Sequence, residues 1–175
     1  MTTSHQKRRD TLSTSRSVRS GIDQGQPFDL YATPGYMVRR LHQIVVSLCH
    51  SHWGDLNLTP VQYACLIGIR AYPGIDQRGL ARAIALDRST SGTTVEQLER
   101  RRLITRLVSE RDKRTKELFI TETGASILRD AQRIAWEIQE RLLQPLSPQD
   151  RDTFVRLLGQ LVESNNELSR APQQL

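Results

Sequence analysis

Leu103-Ile104-Thr105-Arg106-Leu107-Val108, then Ser109-Glu110-Arg111-Asp112-Lys113-Arg114-Thr115-Lys116, then, after Glu117, Leu118-Phe119-Ile120-Thr121: these three segments set the architecture. The outer two are β-rich, and the middle one is polar throughout, with four cations in eight residues. They read as a two-stranded hairpin with a charged tip. On both sides of it the apolar residues follow a helical period instead. Upstream, Thr59-Pro60 offers an N-cap followed by proline at the first helical position. That helix runs through Gln62, Tyr63, Leu66 and Ile67 until Tyr72-Pro73-Gly74 stops it. Asp76 caps a short helix carrying Leu80, Ala81, Ile84 and Ala85. Asp87 or Ser89 opens the next, whose buried face comes from Val95, Leu98 and Leu103.

Further out, Pro34 begins a helix with Val38, Leu41, Val45, Leu48 and His52 in one stripe, ended by Gly54 and the polar stretch to Asn57. Downstream of the hairpin, Thr121 or Thr123 caps a long helix through Ile127, Leu128, Ile134, Ile138 and Leu142 that ends near Pro145. Ser147-Pro148 opens a last one with Phe154, Leu157, Leu158 and Leu161 on one face. The chain is therefore expected to be mainly α with one inserted β-hairpin, and no internal repeat is present.

The chain has 175 residues and a formal net charge of +6, from 25 Lys and Arg against 19 Asp and Glu, enough for one domain or a domain with an appendage. No run approaches the ~18 apolar residues of a membrane span. Lys7, Arg8 and Arg9 have no apolar stretch behind them, so no secretory signal is expected. Two cysteines, Cys49 and Cys65, do not make a disulfide framework, and a cytoplasmic location is expected. The positive charge is local. Residues 1–20 carry five Lys or Arg against Asp10, and residues 100–116 carry eight against Glu110 and Asp112, which leaves the remainder net acidic. A polyanion is the leading partner. Residues 1–27, with only Met1, Leu12, Val18 and Ile22 as apolar residues, read as a disordered basic arm or as a merely solvated terminus.

A short helix, a turn, a second helix and a basic hairpin make a winged helix-turn-helix. Its second helix lies in the major groove, with short polar side chains at the base edges. Here that stretch is Arg88-Ser89-Thr90-Ser91-Gly92-Thr93-Thr94, with Arg88 its only long donor. The same residues alone would also suit any polar helix start. The cations of the hairpin tip favour DNA, because an exposed wing arginine can enter the minor groove. Asp112, two residues before Arg114, either orients a wing arginine or is an ordinary turn aspartate.

Residues 59–124 resemble the MarR family of bacterial transcription regulators, most clearly in Asp112-Lys113-Arg114, Leu118-Phe119-Ile120-Thr121 and Gly124. Lys113 stands where Arg is commoner in that pattern and Ile120 where Leu is. The helix order over residues 34–168 is similar too. The resemblance implies a DNA-binding module at residues 59–121 between dimerisation helices at residues 28–58 and 122–170. It further implies a homodimer on a pseudo-palindromic double-stranded operator, usually acting as a repressor. It places Arg88, Ser89, Thr90, Ser91 and Thr94 at the major groove. Arg114 goes to the minor groove, held by Asp112, with Arg111 and Lys113 beside it on the wing. Independently, two terminal apolar helices around an already compact module suggest a partner subunit; packing on their own subunit is the alternative.

Gly35-Tyr36-Met37-Val38-Arg39-Arg40-Leu41-His42-Gln43 resembles the segment of family members that sense small aromatic acids. The implied pocket is Tyr36, Arg39, Arg40, His42 and Tyr63. A guanidinium takes a carboxylate bidentately and a tyrosine covers the ring. Arg39 and Arg40 point in different directions on a helix, so one of the two serves. His42, Cys49, His50 and His52 invite a metal, but His42 and Cys49 lie ~10 Å apart by helix rise. Cys49 and His52 are two aligned ligands where three or four are usual, so no metal is expected. Both cysteines sit among apolar neighbours, which weighs against an oxidant-sensing regulator. No Ser/His/Asp set, phosphate-binding glycine loop or carboxylate pair is apparent, so neither an enzyme nor a cofactor is expected. The expected function is a repressor released by a small anionic aromatic ligand. The alternative is an effector-independent architectural DNA-binding protein.

Overall fold

The computed structural model describes residues 28–174 in two compact units, one reaching to His42 and the other from Gln43. The arm read at residues 1–27 lies outside the described residues. In the first unit, Asp29 accepts from the Tyr31 N–H at 3.0 Å and caps a 3-10 turn at Leu30–Ala32. The Thr33 hydroxyl then receives the Tyr36 N–H at 3.3 Å. This starts helix α1 (Pro34–Trp53) at the expected proline.

The second unit holds the rest of α1 and then α2 (Pro60–Ala71), β1 (Ile75–Asp76), α3 (Gln77–Ala83) and α4 (Arg88–Arg100). These are followed by β2 (Ile104–Val108), β3 (Lys116–Ile120), α5 (Glu122–Leu143) and α6 (Pro148–Ser164). Every α-helix that starts in this unit is capped by a side chain the sequence offered. Thr59 makes a reciprocal capping box with Gln62, and Asp76, Asp87, Thr121 and Ser147 accept from backbone N–H groups in the first turns of their helices. Asp87, not Ser89, is the cap of α4, and Thr121, not Thr123, that of α5. Among the described residues no helix is long and apolar enough to cross a membrane.

The hairpin is present, but the sheet has three strands in the order β1-β3-β2, all antiparallel. β1 is two residues long, follows the Pro73-Gly74 turn and ends on the Asp76 cap, and pairs Ile75 with Leu118 and Asp76 with Glu117. So short a strand has no period to read, yet it carries the start of α3 to the hairpin. Lys116 belongs to β3 and not to the tip. Ile84 and Ala85 follow α3 instead of extending it, Ala85 being left-handed (φ 52°). Leu103 likewise lies beyond α4, after Arg102 reverses the chain with φ 57°, and is buried there.

The core joins Trp53, Leu66 and Ile69 to Leu80, Val95 and Leu98, with Ile104, Leu118, Leu128 and Ile138 closing it. The Trp53 indole donates to the Ala131 carbonyl at 3.1 Å, so its one buried donor is satisfied. α6 buries none of its residues: Val155, Leu157, Leu161 and Val162 all stay exposed.

Candidate nucleic-acid interface

α4 begins with a polar first turn organised by Asp87. Its Oδ1 accepts from the Thr90 N–H at 3.0 Å and the Ser89 hydroxyl at 2.7 Å. Hydrogen bonding from Thr90, and then from Ser89, holds this carboxyl well below the usual carboxylate range. Arg88 and Ser89 are exposed, and Thr90 is half-buried. Ser91 and Thr94, expected at the major groove, face the other way. Ser91 is fully buried beside the Gln77 carbonyl, and Thr94 is buried with its hydroxyl donated to the Thr90 carbonyl at 2.7 Å. The reason is periodic: they stand four residues before Val95 and Leu98, on the face that enters the core. Thr93 takes their place on the exposed face, one turn after Ser89, and its hydroxyl donates to the Ser89 carbonyl at 3.3 Å.

The wing tip is shaped by Asp112. One carboxylate oxygen accepts from the Arg114 N–H at 3.0 Å and the other from the Thr115 hydroxyl at 2.8 Å. It therefore holds the arginine's backbone in a turn, and the expected bond to the guanidinium is not what it makes. The Ser109 N–H donates to the Thr115 carbonyl at 3.0 Å and closes the tip. Arg111, Lys113 and Arg114 are left exposed.

Between this tip, the start of α4 and the start of α3 lies a concavity of about 660 Å³. Arg78, Arg88, Arg106, Arg114 and Lys116 line it, against Asp76 and Asp112. Arg106 is paired with Glu99 of α4, whose charge also acts on Lys116; among the described residues no salt bridge holds Arg78, Arg88 or Arg114. The sequence reading missed Arg78, because only the β1–β3 pairing brings it beside the wing.

A model of the MarR family matches residues 58–116. YybA of Bacillus subtilis, an uncharacterised helix-turn-helix transcriptional regulator, is 33% identical over 112 residues, covering 64% of this chain and 75% of its own. The chain belongs to the MarR family of transcription regulators. Among solved structures of similar proteins, the PcaV regulator of Streptomyces coelicolor in complex with its natural ligand aligns with a TM-score of 0.70. It is 30% identical, over 79% of this chain and 97% of that one. The repressor CouR bound to a 23-mer DNA duplex aligns with a TM-score of 0.71 and 27% identity, over 76% of this chain and 94% of that one.

In this MarR-family chain the expected effector residues fall in both units. In the first, Tyr36 meets Tyr31 edge-on at 5.2 Å, and the Arg39 guanidinium lies over the Tyr36 ring at 4.9 Å. Arg40 and His42 are exposed. In the second, Tyr63 packs on Trp53 at 4.8 Å, and burial raises its hydroxyl pKa against the opposing charge of Arg70. His52 of α1 is engaged locally, its Nδ1 lying 2.8 Å from the Leu48 carbonyl. Burial pushes the Cys49 thiol up, and the Cys65 thiol up to about 12, which disfavours the thiolate an oxidant sensor requires.

Proposed function

We propose that the protein is a homodimeric repressor that binds a pseudo-palindromic operator and leaves it when a small aromatic carboxylate binds. The observation that carries the DNA half is the cationic concavity joining the start of α4 to the wing. Arg88, Ser89 and Thr90 are assigned to the major groove. Arg114 is assigned to the minor groove, with Arg111 and Lys113 on the flanking phosphates. Support for the dimer comes from α6, whose apolar Val155, Leu157, Leu161 and Val162 are exposed among the described residues. The effector is assigned to Tyr36, Arg39 or Arg40, His42 and Tyr63. A guanidinium would take its carboxylate and a tyrosine its ring. PcaV with its natural ligand and CouR on DNA are related proteins that support each half. Ligand binding shifts the population toward dimers whose two recognition helices no longer match successive major grooves.

The test is a titration of a selected operator duplex at fixed salt. A repressor prefers it over scrambled duplex by ~10³ or more, whereas a preference near unity would establish the architectural alternative. Arg114→Ala is expected to weaken operator binding by roughly 5- to 150-fold, the ~1–3 kcal/mol of one arginine contact, with the dimer intact. Adding benzoate, a hydroxycinnamate or a pyridine carboxylate tests the effector. If none changes operator affinity, that half of the proposal is wrong and the DNA half stands.

A further inference from the structure

Arg101 belongs to the basic run of residues 100–116, but its guanidinium points away from the interface and into the protein's own backbone. It is the C-cap residue of α4. Nη1 donates to the Asn57 carbonyl at 2.6 Å and to Gln62 Oε1 at 3.2 Å, and Nη2 donates to the Leu56 carbonyl at 3.0 Å. Leu56 and Asn57 form the turn between α1 and α2, and Asn57 adopts the left-handed conformation (φ 50°, ψ 43°) that asparagine tolerates well. Gln62 is buried and fully engaged. Its Oε1 also accepts from the Thr59 N–H at 3.2 Å, and its Nε2 donates to Gln97 Oε1 at 3.0 Å, one turn before Arg101 on α4. The last turn of α4 is thus tied twice, through Arg101 and Gln97, to the α1–α2 junction and to the capping box of α2. Arg101 stands 13 residues after Arg88, about 20 Å along the helix axis.

We propose that Arg101 is a positioning residue for DNA recognition: it anchors the far end of the recognition helix to the α1–α2 turn and touches no phosphate. This rests on the DNA-binding reading above. Only a forked donor reaches all three acceptors, so a lysine, with its single ammonium, does not replace it. Without the tie, the last turn of α4 loosens from the α1–α2 turn, the tilt of the helix changes and the base-edge contacts lose their register. The wing and its phosphate contacts stay in place.

The experiment uses the full chain, a duplex that the wild-type protein selects from a random pool, and a scrambled duplex of the same composition. For Arg101→Ala we expect about tenfold weaker binding to the selected duplex and unchanged binding to the scrambled one. The slope of log affinity against log salt stays as in wild type, and Arg101→Lys does not rescue. A phosphate contact would instead lower that slope by about one and weaken both duplexes alike, and that result overturns the proposal. Affinity for the selected duplex equal to wild type overturns it as well. Backbone amide exchange of residues 54–58 and 97–101 is expected to rise in the variant, and unchanged exchange means that no tie was lost. Should Arg101→Ala fail to fold, Gln62→Ala, which removes the Gln97 tie together with one Arg101 acceptor and the Gln62 half of the α2 capping box, is expected to give the same pattern, and its indifference counts against the proposal. A wild-type chain that selects no duplex overturns the DNA-binding reading and this role together. Selection by wild type with an indifferent Arg101→Ala overturns this role alone.

Discussion

Gly124 has no room for a methyl group. A Cβ there would lie 2.0 Å from the Leu103 carbonyl oxygen, which already accepts from the Thr121 N–H at 3.0 Å. The obstacle is backbone, so α5 itself would have to move off the base of the hairpin. Gly124→Ala is therefore expected to destabilise the fold by about 2 kcal/mol or more, read as a lowered urea midpoint. A midpoint equal to wild type would contradict this geometry. The glycine was legible in the sequence as part of a pattern; the carbonyl that demands it was not, since it comes from a residue 21 positions earlier. Cys65 illustrates burial acting on chemistry. With its thiol pushed up to about 12, only about one molecule in 10⁴ carries a thiolate at pH 8. Iodoacetamide at that pH is expected to leave Cys65 unmodified in the native protein and to alkylate it in urea. Modification at equal rates in both would restore the oxidant-sensing alternative.

At the scale of elements, helix starts were the most legible features, because a cap and its helix are separated by only two or three residues. Thr121 adds a second bond that no local rule supplies. Its hydroxyl receives the Gly124 N–H at 3.0 Å and donates to the Arg102 carbonyl at 2.8 Å, pinning the start of α5 to the turn after α4. Thr121→Ala is expected to cost about 1–2 kcal/mol in chemical unfolding and Thr121→Ser to recover most of it; equal stability of all three proteins would show the cap to be idle. Asp87 makes the cap of α4 sensitive to pH. Its folded-state pKa is depressed, so its contribution is complete above the unfolded carboxylate value of about 3.9 and is lost as pH falls through the lower folded value. Asp87→Asn keeps a competent cap without the titration. Its urea midpoint is expected to decline less than that of wild type between pH 5 and pH 2, and parallel declines would contradict the assignment. The strand β1 marks the limit of local reading: its two residues are a strand only because β3 lies beside them.

For the whole molecule the decisive feature is α6, whose Val155, Leu157, Leu161 and Val162 stay exposed and are buried by no other described residue. Covering a leucine is worth about 1.5–3 kcal/mol, so a second copy seated on Val155, Leu157, Leu161 and Val162 would be strongly favoured. The protein is expected to sediment at twice its 20.0 kDa chain mass, and Leu161→Asp to shift it toward monomer with its helical circular dichroism retained. A wild-type monomer at micromolar concentration would return these helices to some other use. The same scale changes the meaning of charge. The run at residues 100–116 reads as one basic patch, yet Glu99 neutralises Arg106 and backbone carbonyls hold Arg101, while Arg78 joins from a helix well outside the run.

Amino-acid order alone was sufficient for the caps of α2, α3 and α6, the helical periods, the hairpin and the position of the positive charge, and it left two candidates each for the caps of α4 and α5. Each of these depends on residues within one or two turns of each other. Which hydroxyls of α4 are exposed was half legible: the four-residue spacing to Val95 and Leu98 contains the inward position of Ser91 and Thr94, although the resemblance put both at the groove. The third strand, the arrival of Arg78 beside the wing, the choice between the two roles open to Asp112 and the internal engagement of Arg101 and Arg106 came only with the folded chain. These depend on which group lies nearest in space. A cation is available to a polyanion only if no carboxylate or carbonyl of its own protein reaches it first.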